Sequence, residues 1–210
     1  MITIANSVIE GEGEKVRELV QQAISGGVSA DRVLREGLIA GMNVVGERMK
    51  KHEMYLPEVL LSATAMLVGM DLLKPLLVTG GVGLGPKVVL GTVKGDIHDI
   101  GKNLVGIMLT GVGFQVVDLG KDTPAERFVQ ATREEEAQIV AMSALLTTTM
   151  PEMRNTIEAL KAAGLREKVK VIVGGAPVSP EYAAQIGADG YARDAARAVD
   201  KVRELVGWQL

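Results

Sequence analysis

Residues 88–112, VVLGTVKGDIHDIGKNLVGIMLTGV, decide the fold. The stretch opens on a short aliphatic run, Val88–Val93, and closes on a helical stretch, Ile100–Val112. Between them lies a polar segment punctuated by Gly95 and Gly101. A short β-branched run followed by a loop and an apolar-periodic helix reads as the first half of a βαβ unit.

Toward the C-terminus the same rhythm continues. Aliphatic runs at Gln115–Asp118, Ile139–Ser143, Val169–Val173 and a short run ending at Tyr191 alternate with helical stretches. Those helices are expected at Ala125–Glu136, Met150–Ala163, Pro180–Gly187 and Asp194–Leu205. Such alternation predicts a Rossmann-like, flavodoxin-like α/β domain over 87–210: a doubly wound, parallel, five-stranded sheet with right-handed crossovers. In open sheets of this kind ligands bind outside the carboxyl ends of the strands, so a site is expected just after Val93, Ser143 and Val173.

Upstream the rhythm is different. Residues 79–86, Thr-Gly-Gly-Val-Gly-Leu-Gly-Pro, break every periodic pattern and read as a glycine-rich interdomain linker. Gly81, Gly83 and Gly85 superficially resemble a dinucleotide fingerprint, but they precede a strand instead of following one and end in Pro86, so no NAD is expected. Residues 1–78 read as helices. Val16, Leu19, Val20, Ala23 and Ile24 share one stripe, Gly26-Gly27 stops that helix, and Ser29 caps the next. Val33, Leu34, Leu38, Val44, Val45 and Met49 continue the pattern. Pro57 suits a first turn, and Val59, Leu60, Ala63, Leu67, Met70 and Leu73 form a further apolar face. Four helices around one core is the natural solution, an N-terminal four-helix bundle.

Composition narrows the function classes. The chain has 210 residues, 47% hydrophobic but only 3% aromatic, an aliphatic bias suited to a sheet covered on both faces. Net charge is −3, which gives no basic field for nucleic acid and no polybasic membrane patch. There is no cysteine, which removes disulfides, thiolate nucleophiles and thiolate metal sites. No charged leader precedes an apolar stretch and no unbroken apolar run of about eighteen residues occurs, so a cytoplasmic location without a membrane partner is expected.

The loop Lys94–Asn103 carries the chemistry. Asp96 and His98 are two apart, so in extended backbone they project to one side. The carboxylate can then accept the Nδ1 proton, fix the tautomer and aim Nε2 outward. Gly95 and Gly101 let backbone approach a large flat ligand. The plainer alternative is a solvated loop in which Asp96 and Asp99 cap the following helix and His98 is incidental. Zinc fits poorly, because the only other histidine is His52 in the helical half. One protein ligand suffices only where a macrocycle fills the metal's other positions, as in a corrin or a haem.

The stretch Gly95-Asp96-Ile97-His98-Asp99-Ile100-Gly101 resembles the Asp-x-His-x-x-Gly signature of cobalamin-binding domains. Ser143-Ala144-Leu145 and Gly174-Gly175 resemble that family's Ser-x-Leu and paired-glycine elements, in the family's order, with 41 residues between Gly101 and Ser143 and 28 between Leu145 and Gly174. Residues 41–46, Gly-Met-Asn-Val-Val-Gly, with Tyr55-Leu56-Pro57, resemble the cap module of methionine synthase and of corrinoid proteins of anaerobic methyltransferase systems.

The resemblance implies that His98 is the lower axial cobalt ligand and that Asp96 hydrogen-bonds its distal nitrogen. Thr149 stands where the family has a serine in the proton relay; a helix-start threonine making a local backbone bond is the alternative. Ser143, Leu145, Thr147, Gly174 and Gly175 are implied to line the slot for the cofactor's nucleotide tail, and Ala195 to touch it through backbone. Met49 and Leu56 match cap residues that shield the methyl group, and Glu36 matches a cap glutamate near the upper axial position. Met49 is commonly phenylalanine in methionine synthase, so this cap is softer.

The implied function is a carrier subunit, not catalytic alone, which holds cobalamin, cycles between Co(I) and methyl-Co(III), and shuttles a methyl group. Implied partners are a substrate-specific methyltransferase, an acceptor methyltransferase using tetrahydrofolate or a thiol, and a reductive activator. A cobalamin-dependent sensor is the alternative, although such proteins usually append a DNA-binding or signalling domain and the sequence stops at Leu210. A mutase subunit using adenosylcobalamin leaves the methyl-shielding cap unexplained, and a cofactor-free receiver leaves His98 unused.

Overall fold

The computed structural model describes residues 1–79 and 85–208, without the side chains of Val78 and Thr79. The chain divides into two compact units, one helical and one α/β. Of the expected linker at 79–86, Thr79 closes the last helix of the first unit, Gly85 and Pro86 precede the first strand, and residues 80–84 lie outside the described residues.

The helical unit consists of α1 (Ile2–Ile9), α2 (Gly13–Ser25), a continuous rod over residues 30–50, and α5 (Leu56–Thr79). The rod is built from α3 (Ala30–Val33), a π-helical turn (Leu34–Ile39) and α4 (Ala40–Lys50). Ser29 Oγ caps it by accepting the Arg32 N–H at 3.3 Å. The wide turn buries Leu38 and Ile39 in line with Met42 and Val45. Helix α1 lies close on this rod: a Cβ on Gly41 would stand 2.8 Å from the Ala5 carbonyl. After α4, His52 adopts a left-handed conformation, φ 59°, as the chain turns toward α5.

Helix α5 starts where Glu58 accepts the Tyr55 N–H at 2.8 Å, a local cap that fits Pro57 in the first turn. Its buried stripe is Val59, Ala63, Met66, Met70, Leu73 and Leu77, spaced four, three, four, three and four residues apart. The expected apolar face is corrected here. Leu60 and Leu67 are each 39% exposed, as is Val44 on α4. They flank the stripe by about 100°, and periodicity could not separate them because α5 is apolar nearly all round. By length and composition alone, Leu56–Leu77 could cross a membrane, with mean hydropathy 1.6, but its stripe is a packed core against α2.

The α/β unit has β1 (Lys87–Thr92), α6 (Ile100–Gly111), β2 (Gln115–Asp118), α7 (Ala125–Glu134), β3 (Ile139–Ser143), α8 (Pro151–Ala162), β4 (Lys170–Gly174), α9 (Pro180–Ile186), β5 (Gly190–Ala192) and α10 (Ala195–Val206). All pairings are parallel and the order is β2-β1-β3-β4-β5, the flavodoxin-like arrangement expected. Val89, Val140, Val171 and Val173 face one side, where Phe128, Met153, Ile157, Leu160 and Ile186 of α7, α8 and α9 close the core. The alternate residues Val88, Leu90, Ile139, Ala141 and Ile172 are buried on the other side. The strand order reverses between β1 and β3, which makes the gap at their carboxyl ends the switch point.

Candidate functional site

Strand β1 ends at the switch point, and Val93 continues alongside β3 by donating its N–H to the Ser143 carbonyl at 3.0 Å. The chain then turns at Lys94-Gly95, where Gly95 has φ 78°, and the Asp96 N–H returns to the Val93 carbonyl at 3.1 Å. That turn drives the Asp96 side chain inward, where it is fully buried. The turn lies at Lys94-Gly95, ahead of the pair; residues 96–99 carry no turn, and the loop brings Asp96 and His98 together.

Asp96 sits in a cage of five donors. Its Oδ1 accepts the His98 N–H at 3.0 Å and the His98 ring Nδ1–H at 2.8 Å. Its Oδ2 accepts from Leu145 N at 2.7 Å, Leu146 N at 3.3 Å and Thr149 Oγ1 at 2.8 Å. Burial alone would raise the Asp96 pKa. The hydrogen bonds from Leu145, His98 and Thr149 outweigh it and hold the carboxyl well below the usual carboxylate range. The acid is an ionised anchor.

His98 is fixed at two points. Thr92 Oγ1 donates to its carbonyl at 3.1 Å, and Asp96 takes Nδ1. The tautomer assigned by that partner carries its proton on Nδ1 and leaves the Nε2 lone pair for an outside group. The side chain is 46% exposed. Around it Ile97, Ile100, Leu145 and Leu146 are exposed apolar side chains.

The remaining expected residues fall as follows. Gly101 has no atom within 4 Å of where a Cβ would be, so the surface there is open. Asp99 is partly buried at the start of α6. Ser143 ends β3 in register with Thr92 and Gly174, and Thr147 is exposed in the loop before α8. The glycines at 174 and 175 are demanded by the sheet itself: a Cβ on Gly175 would lie 1.9 Å from the Ala144 carbonyl oxygen, and one on Gly174 would lie 2.7 Å from that of Ala192. Ala195 is buried at the start of α10, whose cap Asp194 accepts the Arg197 N–H at 2.9 Å. In the helical unit Met49 is half-buried on α4, Leu56 is exposed at the head of α5, and Glu36 lies in the π turn with its carboxylate 3.0 Å from Arg32 Nε.

Several contacts of this edge were not foreseen. Thr92 is a β1 threonine like any other until its partner is seen. Leu145 and Leu146 act through backbone N–H groups, which sequence does not reveal. Asp122, in left-handed conformation at φ 53°, accepts the Gly95 N–H at 2.7 Å. Lys102 is buried, and its Nζ lies 2.6 Å and 2.5 Å from the two carboxylate oxygens of Asp118.

The donor set tests which groups can be held here. Among the described residues no cluster of three or more His, Asp or Glu side chains forms a metal site. A lone outward imidazole nitrogen, an open surface at Gly101 and exposed aliphatic side chains fit a metal already held by a flat macrocycle.

The geometry thus defines an α/β module presenting one caged imidazole at its switch point, preceded in the chain by a helical unit. Comparison with known proteins agrees. Residues 86–200 match the B12 binding domain family, and residues 3–74 match a second family also described as B12 binding domain. The chain is 44% identical over 207 residues to corrinoid protein DSY3155 of Desulfitobacterium hafniense, covering 97% of this chain and 96% of that protein. It is 43% identical over 204 residues to dimethylamine corrinoid protein 1 of Methanosarcina acetivorans, covering 97% and 95%. Among solved structures, the methanol:cobalamin methyltransferase complex MtaBC of Methanosarcina barkeri contains a chain that matches with TM-score 0.87 and 33% identity, over 99% of this chain and 79% of that one. A cobalamin-binding protein of Desulfitobacterium hafniense DCB-2 matches with TM-score 0.80 and 34% identity, over 97% of both chains. The chain belongs to this family of B12-binding corrinoid proteins.

Proposed function

We propose that the chain is a corrinoid methyl carrier in which His98 is the lower axial ligand of cobalt. The observation that carries this reading is the Asp96–His98 pair: a fully buried carboxylate takes Nδ1 at 2.8 Å while the ring stays 46% exposed. The corrinoid, when bound, supplies a cobalt centre that accepts and releases a methyl group by cycling between Co(I) and Co(III). His98 offers its Nε2 lone pair to that centre. Asp96 makes this nitrogen a stronger donor by holding the proton on Nδ1. Hydrogen bonds from Leu145, His98 and Thr149 keep Asp96 ionised. Gly95, Ile97, Asp99 and Gly101 form the surface beneath the macrocycle, and Ser143, Leu145, Thr147, Gly174, Gly175 and Ala195 mark the edge along which a nucleotide tail would lie.

The relatives, dimethylamine corrinoid proteins and a chain of a methanol:cobalamin methyltransferase complex, support a place in a methyltransferase system. Partners of the kind proposed are a methyltransferase that loads the methyl group from a methylamine, methanol or a methoxylated aromatic, an acceptor methyltransferase using tetrahydrofolate or a thiol, and a reductive activator.

Reconstitution with hydroxocobalamin should load a single corrinoid per chain, and failure to bind any would overturn the proposal. In the Co(II) state, electron paramagnetic resonance should show imidazole nitrogen coupling that His98→Ala removes; an unchanged spectrum would make another group the ligand. The loaded protein reduced to Co(I) should accept a methyl group from a donor methyltransferase. A protein that binds corrinoid but responds only to light or effectors would be a sensor.

A further inference from the structure

The edge strand β2 and the turn after it carry none of the expected site residues, yet they grip the imidazole loop on both sides of His98. On the near side, Gly95 N–H donates to Asp122 Oδ1 at 2.7 Å, and Asp122 N–H donates to the Asp96 carbonyl at 2.9 Å. These reciprocal bonds fix the two peptides that flank the Gly95–Asp96 link, Lys94–Gly95 and Asp96–Ile97. On the far side, Lys102 Nζ reaches both carboxylate oxygens of Asp118. His98 lies three residues from one tie and four from the other.

The gripping segment is itself stitched to β1. Leu119 N–H donates to the Leu90 carbonyl at 2.8 Å, Thr92 N–H to the Gly120 carbonyl at 2.9 Å, and Thr123 N–H to the Thr92 carbonyl at 3.0 Å. Asp118 Oδ1 also accepts the Gly120 N–H at 2.9 Å, closing the turn on itself. A segment anchored to the sheet in this way can transmit the sheet's position to the loop.

The residue types are costly ones for a turn with no task. Asp122 holds a left-handed backbone that glycine would adopt more easily, and the aspartate adds the acceptor that Gly95 uses. Lys102 has 1% of its side chain exposed, an expensive burial unless the ammonium is paired.

We propose that Asp118 and Asp122 are positioning residues for the cobalt ligand: they hold the two ends of the His98 loop so that Nε2 is presented at a fixed height above the sheet edge. The proposal rests on the reading of His98 as ligand. Neither carboxylate touches cobalt or Asp96's side chain; each acts through the backbone or through Lys102.

The test compares Asp122→Gly, which keeps the left-handed turn and removes the acceptor, with Asp122→Asn, which keeps both. In the cofactor-free protein, amide exchange at Gly95 read by NMR should accelerate in Asp122→Gly and stay at the wild-type rate in Asp122→Asn. In protein loaded with hydroxocobalamin, Asp122→Gly should weaken binding about tenfold and lose part of the imidazole coupling of the Co(II) spectrum, with Asp122→Asn restoring both. Wild-type coupling together with unchanged affinity and coupling in Asp122→Gly would leave the His98 reading standing and overturn this one, whatever the Gly95 amide does. Absence of imidazole coupling in the wild-type protein itself would remove the His98 reading and the positioning role with it.

Discussion

Thr149 Oγ1 stands 2.8 Å from Asp96 Oδ2 and 2.9 Å from the Leu146 carbonyl, with a single hydroxyl proton to give. Both alternatives weighed for this residue, the link to the acid and the local backbone bond, are therefore present in one side chain. Thr149→Val removes the donor at nearly constant volume. It should cost roughly 1 kcal/mol and allow the Asp96 carboxyl to rise toward its ordinary pKa, while Thr149→Ser should behave like the parent. Denaturant unfolding at neutral and acid pH measures both effects.

Asp96 should dominate the acid stability of the α/β unit. Its folded pKa is depressed, because the hydrogen bonds outweigh the opposing effect of burial. The unfolded carboxyl titrates in the ordinary range near 3.9, so the cage contributes fully above that range. The contribution is lost as pH falls from about 5 toward the folded value. Asp96→Asn cannot replace it. With five donors converging on two oxygens, either orientation of the amide sets its NH2 against a backbone N–H of His98 or of Leu145. A loss of roughly 1–3 kcal/mol at neutral pH is expected, shrinking on acidification. An unchanged difference between parent and variant at low pH would contradict this account.

The ion pair between Lys102 and Asp118 is lopsided, with 1% of the lysine side chain exposed against 44% of the aspartate. Removing the buried partner leaves a carboxylate that water can solvate. Removing the exposed partner strands an ammonium inside. Asp118→Ala should therefore destabilise by roughly 3 kcal/mol, and Lys102→Met by less than about 1 kcal/mol. The double variant should recover most of the Asp118→Ala loss, and thermal unfolding of the three proteins gives the comparison.

Left-handed backbone separates two kinds of position. His52 and Glu136 both hold positive φ in exposed turns that follow helices, and neither side chain makes a hydrogen bond there. His52→Gly and Glu136→Gly should each stabilise by roughly 0.5–1 kcal/mol. Asp122→Gly should not show that gain, because it also removes the acceptor for Gly95. Melting temperatures of the three variants distinguish strain alone from strain that holds a loop.

The strands were legible because β1, β3 and β4 are short aliphatic runs bounded by polar loops, and the strand edge followed from their alternation with helices. Asp96 and His98 were legible as a pair from their spacing, but the burial of Asp96 depends on Gly95 turning the chain just before it. What could not be read was everything carried by main chain or by distant sequence: the N–H groups of Leu145 and Leu146, the Thr92 hydroxyl, and the approach of Asp118 and Asp122. On α5 the apolar residues outnumbered the buried ones, so Leu60 and Leu67 looked like core. The paired glycines at 174 and 175 were legible as glycines with a task, but the crowding of the Ala144 and Ala192 carbonyls against them could not be read from sequence.

The wide turn Leu34–Ile39 also dictates where the rest of its rod faces. A turn of this kind takes up one residue more than an ordinary helical turn, so deleting a single residue within it would restore regular winding and leave the faces downstream nearly where they are. Winding the same residues as an unbroken α-helix would instead turn Met42 and Val45 off the core by about 100°, and re-aim Met49 with them. The facing of the second half of the rod thus depends on this turn staying wide, and a one-residue deletion here would be absorbed while one elsewhere in the rod would not.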